Sequence, residues 1–488
     1  MKKKMMLISP HPPGRHGEES VTVIVQMPLG LAYLASLTPG EWEFDIIDEN
    51  IELAMNEEET DVIFDGFDLV CLTALTFQSA RAYKIAAACK KKGMTTIMGG
   101  LHASVVTEEA MEYVDCVVTG EAEAIWPTVI KDFEEGNLKK LYEGGLPDLS
   151  LLKNVYPDRD LLRKKYDYKF SSIITTKGCP NKCDFCSVPT FQGGKFRERP
   201  VEDVLDEMEA TDYKGLMLAE DNFYRHGKRS NERANSLFKG MVERKLNKDW
   251  LGFTALNISE DADTLDYMAK SGNFGMLIGI ESTNEDVLKK MNKRVNLKMG
   301  VDSYYESVDK IHQAGLVVWG SMVFGADGDT KDSFERMANF VLDNNIDILT
   351  YGINTPFPTT PLFKRVDSEG RIFRKNFPMD WKYYDTANVC HRFVDMTLEE
   401  FIEGMQLVYK MVYDGDMLRT RFRNTIKRNH NPRNAMFAYK VGCDWKQVFE
   451  QVLDHLKELY DSGDYYQDWY KSNSVTVNKD LAGVATVY

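Results

Sequence analysis

A chain of 488 residues is long for a single domain, so two or three are expected. With 43% apolar and 28% charged residues it has a globular composition, and no apolar run approaches the ~18 residues a membrane-spanning helix needs. A formal net charge of −15 argues against general nucleic-acid binding, which rests on a basic face.

The first residues, "MKKKMMLISPHPPG", carry a basic prefix, but the apolar part is only "MMLI", which suits a first strand better than a signal peptide. A cytoplasmic location is therefore expected. Up to about residue 140, short apolar runs alternate with helical patterns. Strands are expected at 4–9, 43–48, 67–75, 94–100 and 115–121. Between the third and fourth, "SARAYKIAAACKKKG" reads as an amphipathic helix with Ala80, Tyr83 and Ala87 on one face. Such alternation implies a flavodoxin-like, doubly wound parallel sheet whose ligand lies at the carboxyl ends of the strands. Residues 141–170, rich in glycine, proline and charge, read as a linker.

A second alternating region follows, with strands expected at 171–178, 215–221, 250–257, 274–282, 315–325 and 347–358. Six such repeats suggest a complete or partial β/α barrel over 171–365, with its chemistry at the strand carboxyl ends. Residues 366–488 read as a mainly helical, aromatic-rich domain. There Thr397, with Glu400 three residues on, forms a helix-capping pattern, and Trp381, Tyr383, Tyr384, Phe393, Tyr465, Tyr466, Trp469 and Tyr470 cluster.

Three cysteines, Cys179, Cys183 and Cys186, fall in eight positions as C-x3-C-x2-C, in the loop after the first barrel strand. A structural zinc site wants a fourth ligand, which no nearby His or Cys supplies. A disulfide suits a reducing compartment poorly and leaves one thiol over. An iron–sulfur cluster normally takes four thiolates, so three leave one iron open for substrate or cofactor. Cys71, Cys89, Cys116, Cys390 and Cys443 are scattered in mostly apolar contexts and read as buried free thiols.

At this loop the sequence resembles the radical SAM superfamily, whose signature is C-x3-C-x-aromatic-C after the first strand of a partial barrel. Cys179, Cys183, Phe185 and Cys186 match it. The resemblance implies a [4Fe-4S] cluster on the three cysteines, with S-adenosylmethionine (SAM) chelating the open iron. Reductive cleavage would then give a 5′-deoxyadenosyl radical. "LAEDNF" (218–223) resembles the segment that contacts the methionine amine, which points to Glu220 and Asp221. "IGIES" (278–282) resembles the ribose-contact motif, with Glu281 facing hydroxyls. "SMVFGADGDT", beginning at Ser321, resembles the next strand and turn, with alanine and aspartate where a proline is usual. "TPFPTTPLF" (355–363) resembles the sixth-strand exit.

The first domain resembles that of the cobalamin-dependent class through "MPLGLAYLAS", containing Leu31, "MGGLHAS", containing Gly99, Gly100, Leu101 and His102, and "VVTGEAEAIWP", containing Gly120 and Glu121. The glycines would let backbone approach a large planar ligand, and the Thr73 and Thr76 hydroxyls could bond its amide arms. The D-x-H-x-x-G motif that places a histidine under cobalt elsewhere is absent; His11, His16 and His102 are expected in loops outside that pattern. The resembled class often binds cobalamin without a histidine ligand.

"FPMDWKYYDTANVCHRF" (377–393) is loosely similar to the C-terminal extension of hopanoid methylases, and equally to relatives that methylate protein side chains, including the methanogen glutamine C-methyltransferase. The implied reaction is C-methylation of an unactivated carbon through methylcobalamin. Cobalamin would lie between the first domain and the barrel mouth, and a reductant such as flavodoxin or ferredoxin would supply electrons. A peptide side chain, a lipid and a small metabolite all fit, with the acidic balance favouring a peptide over an anionic lipid surface. Two alternatives use the same parts: a cyclase or oxidoreductase without methyl transfer, and a non-enzymatic cobalamin- or cluster-binding protein. The tRNA methylthiotransferases share the barrel but carry extra N-terminal cluster cysteines, which this chain lacks.

Overall fold

The computed structural model describes residues 2–11, 26–56, 60–224, 228–429, 431–463 and 465; His16, Tyr466, Trp469 and Tyr470 lie outside the described residues. The chain divides into two compact units. One comprises Met1–Pro180, Ser187–Asp221 and Asn376–Lys382, and the other Asn181–Cys186, Asn222–Lys375 and Tyr383–Tyr488.

The first unit is built on six strands: β1 (Lys3–Ser9), β2 (Trp42–Asp48), β3 (Leu69–Thr73), β4 (Thr95–Gly99), β5 (Cys116–Thr119) and β6 (Leu141–Glu143). They are all parallel and ordered β2-β1-β3-β4-β5-β6. Alternate side chains enter two cores. Met6, Ile8, Val70, Leu72, Met98 and Val117 pack on one face; Met5, Leu7, Ile46, Cys71, Ile97 and Val118 pack on the other. Burial on both faces explains why β1 reads as a continuous apolar run. In the helix Ser79–Lys91 the buried face is Ala82, Tyr83, Ile85, Ala86 and Cys89. Ala80 is half-buried and Ala87 exposed, which corrects the face expected through those two alanines. Burial pushes the Cys89 and Cys116 thiols up to about 12, so both stay protonated.

The stretch expected as a linker does more than connect. Residues 141–143 supply β6, too short to give a periodic signal. Leu162, Tyr166 and Tyr168 enter the β1–β5 core, and the Tyr168 hydroxyl donates to Asp48 Oδ2 at 2.6 Å. Burying a side chain such as Leu162 stabilises by about 1.5–3 kcal/mol, so this stretch is anchored.

The six strands of the second alternating region are β7 (Phe170–Ile173), β10 (Gly215–Leu218), β11 (Asp249–Thr254), β12 (Asn273–Glu281), β13 (Val318–Phe324) and β14 (Ile348–Ile353); the short β8 (Thr176–Lys177) and β9 (Arg197–Glu198) form a separate antiparallel pair. In the first unit β7 and β10 pair in parallel. In the second, β11 to β14 form a parallel ladder in sequence order. Each strand lies where its apolar run predicts, shortened by one to five residues at the carboxyl end, where the loops begin.

The C-terminal region is helical. In the helix Leu398–Val408 the Thr397 hydroxyl accepts from the Glu400 N–H at 3.1 Å while Glu400 accepts from the Thr397 N–H at 2.9 Å, the reciprocal cap its sequence predicts. The 31-residue helix Pro432–Ser462 starts on a capping Asn431 and stops at Gly463, whose φ is +69°. No helix among the described residues is long and apolar enough to cross a membrane.

Candidate functional site

The carboxyl ends of β3, β4 and β5 open onto a cleft of about 1050 Å³, counting its solvent-open part, which lies within the first unit. Thr73, Gly99, Gly100, Gly120 and Glu121 line it from the strand ends, and Gly30, Leu31, Tyr33 and Leu34 from the helix Leu29–Leu37. The opposite wall comes from the β7–β10 part of the chain and includes Thr176, Lys177, Gln192 and Asp221. Gly100 has φ +89°, and a Cβ there would stand 2.5 Å from Thr73 Oγ1. Gly120 has φ +69°, and its Cβ would stand 2.7 Å from the Gly145 carbonyl oxygen. Both positions require glycine, and they leave the floor of the cleft to backbone. Apolar walls, a bare floor and polar groups at the rim fit a large ring with amide arms.

Three charged groups of the cleft, Glu121, Glu123 and Lys177, are paired. Lys177 Nζ lies 2.5 Å from Glu123 Oε1 and 3.4 Å from Glu121 Oε2, and Arg197 clamps Glu121 while donating to the Pro147 carbonyl at 2.9 Å. Burial raises the Glu123 carboxyl, but the Lys177 ammonium outweighs it and holds the group below its ordinary value. Asp221 is raised by burial, although it accepts the Gly178 N–H at 3.1 Å. Glu220 accepts from the Thr175 N–H at 3.2 Å and the Thr176 hydroxyl at 3.4 Å. Of that pair, Asp221 lines the cleft and Glu220 is buried behind it.

Cys179 follows Gly178, whose φ is +85° and whose Cβ would overlap the Lys195 carbonyl. In the second unit, Cys183 and Cys186 share one turn, closed by the Cys186 N–H on the Cys183 carbonyl at 3.2 Å. Phe185 packs on Val287, Met291, Val323 and Ala326. Asn292 Nδ2 donates to the Lys182 carbonyl at 2.6 Å. None of the eight cysteines is in a disulfide. Among the described residues no three His, Cys, Asp or Glu side chains converge on a single-ion site. A four-iron cluster spreads its thiolates over separate irons, so three cysteines outside any disulfide on a braced loop fit a cluster.

Glu281 ends β12 with φ +63°, at a register shift after Gly279. A left-handed glutamate costs about 1–3 kcal/mol and persists only where its surroundings hold it. Here the Lys293 ammonium holds it, with Nζ 2.5 Å from Oε1. A Cβ at position 279 would stand 2.5 Å from Glu281 Oε1 and 2.7 Å from Lys293 Nζ, so Gly279 makes room for the pair. Burial lowers the Lys293 ammonium, but attraction to Glu281 and then to Cys183 carries it above its usual range. Ser321 lies half-buried in β13, registered between Gly279 and Thr350.

Other expected contacts are placed elsewhere. Thr76 is buried and Leu101 half-buried, and neither lines the cleft. His102, expected in a loop, is fully buried in the helix Gly100–Val105 because Gly99 and Gly100 turn the chain straight from β4 into that helix. Its Nε2 faces the Tyr83 hydroxyl at 2.9 Å and Glu109 at 3.3 Å. Lys177 and Lys293 were missed because Lys177 reads as a lone lysine at the end of a strand and Lys293 as part of an ordinary basic stretch; only the glycines beside their partners, Gly120 and Gly279, hinted at crowding.

Residues 173–341 match the radical SAM superfamily and residues 24–130 the B12 binding domain. The chain is 29% identical to a bacteriochlorophyllide d C-12(1)-methyltransferase of Chlorobaculum tepidum, covering 86% of this chain and 90% of that protein. It is 24% identical to the hopanoid C-2 methylase of Rhodopseudomonas palustris over 71% of this chain and 65% of that one. Its fold matches the radical SAM methyltransferase TsrM of Kitasatospora setae at a TM-score of 0.65 and 14% identity, covering 94% of this chain and all of that one. The cobalamin-dependent radical enzyme OxsB matches at 0.63 and 13%, over 99% and 83%. A B12 binding domain, a radical SAM domain and a helical C-terminal region follow one another here, and the chain is a homologue of the cobalamin-dependent radical SAM methyltransferases.

Proposed function

We propose that this enzyme methylates an unactivated carbon, with Cys179, Cys183 and Cys186 holding a [4Fe-4S] cluster and the cleft of the first unit holding cobalamin. The cleft carries this reading: the carboxyl ends of the cobalamin-type sheet share one cavity with Asp221 and with Lys177, which lies just before Cys179 in sequence. When bound, the cluster, SAM and cobalamin supply one-electron cleavage of SAM and delivery of a methyl group to a carbon-centred radical.

The chain's own residues have separable tasks. Gly99, Gly100 and Gly120 keep the floor open for the ring, Leu31 and Leu34 give it an apolar face, and Thr73 bonds an amide arm. Asp221 and Glu220 accept the SAM ammonium, and Glu281, steadied by Lys293, accepts its ribose hydroxyls. Residues 1–140 would then form the cobalamin domain, 141–170 the connection, 171–365 the catalytic domain and 366–488 the substrate-handling region. We place the enzyme in the cytoplasm, with flavodoxin or ferredoxin as electron donor.

Two relatives, 29% and 28% identical, are named for bacteriochlorophyllide, so a tetrapyrrole is the first substrate class to test and a glutamine-containing peptide the second. A ring-closing reading is favoured by the 21% and 22% identities to anaerobic magnesium-protoporphyrin IX monomethyl ester cyclases of Cereibacter sphaeroides and Rubrivivax gelatinosus. SAM labelled with deuterium in its methyl group separates the two. Label retained in the product supports methylation, and 5′-deoxyadenosine formed beside an unlabelled, ring-closed product would overturn it.

A further inference from the structure

The loop that carries two of the three clustered cysteines is tied to a row of alternating charges in the second unit. Asp184, between Cys183 and Cys186 in sequence, donates its N–H to the Met291 carbonyl and accepts the Leu362 N–H, both at 3.0 Å. Its carboxylate meets Arg365 Nη1 at 3.4 Å, and Arg365 Nη2 reaches Asp327 Oδ2 at 3.1 Å. Asp327 takes Arg371 on both oxygens, at 2.6 and 3.3 Å. Arg371 in turn donates to Glu369 at 2.8 Å and to the Arg392 carbonyl at 2.9 Å.

The inner members of the row are the buried ones. Arg371 and Asp327 are 7% and 13% exposed at the side chain, against 33% for Arg365 and 24% for Asp184. Burial raises the Asp327 carboxyl, but Arg371 and then Arg365 more than offset it, so Asp327 stays ionised. His391, fully buried near Arg371 and Asp327, is pushed down to about 3, first by burial and then by Arg371, and adds no charge. The row therefore keeps a fixed alternation of charge that ends on the cysteine loop. An iron–sulfur potential responds to nearby net charge and to the bracing of its ligands.

We propose that Arg365 is a positioning residue that neutralises Asp184 and so sets the reduction potential of the cluster, with Asp327 and Arg371 fixing Arg365 in place. This rests on Cys183 and Cys186 being cluster ligands. Removing the Arg365 charge leaves the Asp184 carboxylate uncompensated on the loop that carries Cys183 and Cys186, which disfavours adding an electron to a cluster held there. Removing the Asp184 charge does the reverse.

The test is the cluster midpoint potential, read by electron paramagnetic resonance during an anaerobic redox titration of full-length reconstituted protein, with iron and sulfide counted for each sample. Arg365→Gln shifts the potential negative, Asp184→Asn shifts it positive, the double variant returns near wild type, and Arg365→Lys retains most of the wild-type value. Wild-type potentials in both single variants, or shifts of the same sign in the two, overturn the proposal. If Arg365→Gln fails to fold, Asp184→Asn decides alone: a positive shift supports the proposal and an unchanged potential overturns it. Wild-type protein that takes up no iron and sulfide overturns the cluster reading itself, a result distinct from an altered variant.

Discussion

The Trp381 indole N–H lies 3.1 and 3.0 Å from the two carboxylate oxygens of Glu109, joining positions 272 residues apart. The same carboxylate accepts the Tyr83 hydroxyl at 3.0 Å and faces His102 Nε2 at 3.3 Å, while the Trp381 ring stacks on Phe377 at 3.7 Å. A short piece of the C-terminal region, Asn376–Lys382, thus belongs to the first compact unit. His102 is engaged in holding it.

Glu109→Ala removes the acceptor of the Trp381 N–H and one of the two partners of the Tyr83 hydroxyl, so it destabilises the protein by about 1–3 kcal/mol. Burial raises the Glu109 carboxyl, but hydrogen bonds from His102, Trp381 and Tyr83 outweigh it and leave it below its ordinary value. Its contribution is therefore complete above the ordinary glutamate range and lost as pH falls through the depressed folded value. Chemical unfolding followed from about pH 7 to about pH 3 checks both statements: the wild type loses stability through that range, and Glu109→Ala loses less.

Lys293→Met leaves the Glu281 carboxylate buried without its partner, which costs about 3–5 kcal/mol. Glu281→Gln combined with Lys293→Met recovers most of that, because no unpaired charge remains. Glu281→Gln alone folds and weakens SAM by roughly tenfold, the loss of about 1.4 kcal/mol. Thermal unfolding reads the first two effects, and calorimetric SAM binding to reconstituted protein reads the third.

Gly120→Val places a branched side chain at φ +69° and drives its Cβ against the Gly145 carbonyl oxygen. The strained strand end closes the floor of the cleft, and cobalamin uptake falls while iron content stays at the wild-type level. The visible absorption of cobalamin, set beside iron content, separates this from general misfolding.

How much the sequence disclosed depends on range. The strands of both alternating regions were legible because buried parallel strands are continuous apolar runs, as "MMLI" in β1 and "LVCLT" in β3. The capping pair Thr397 and Glu400 was legible because it is local. β6 was not, because "LYE" is too short to show a period. The turn from β4 into the helix that buries His102 rests on Gly100 at positive φ, and nothing in "MGGLHAS" tells a loop from a helix start. The Glu281–Lys293 and Asp184–Arg365 pairs are tertiary, and their lysine and arginine sit in segments that read as solvated charge.

The most direct test of the central claim uses anaerobically purified and reconstituted protein. Iron, sulfide and cobalt are counted, then S-adenosylhomocysteine and 5′-deoxyadenosine are measured after reduction with SAM. About four irons and one cobalamin per chain, with both products formed by the wild type and 5′-deoxyadenosine abolished in Cys183→Ala, is the predicted result. Full 5′-deoxyadenosine production by Cys183→Ala would contradict it.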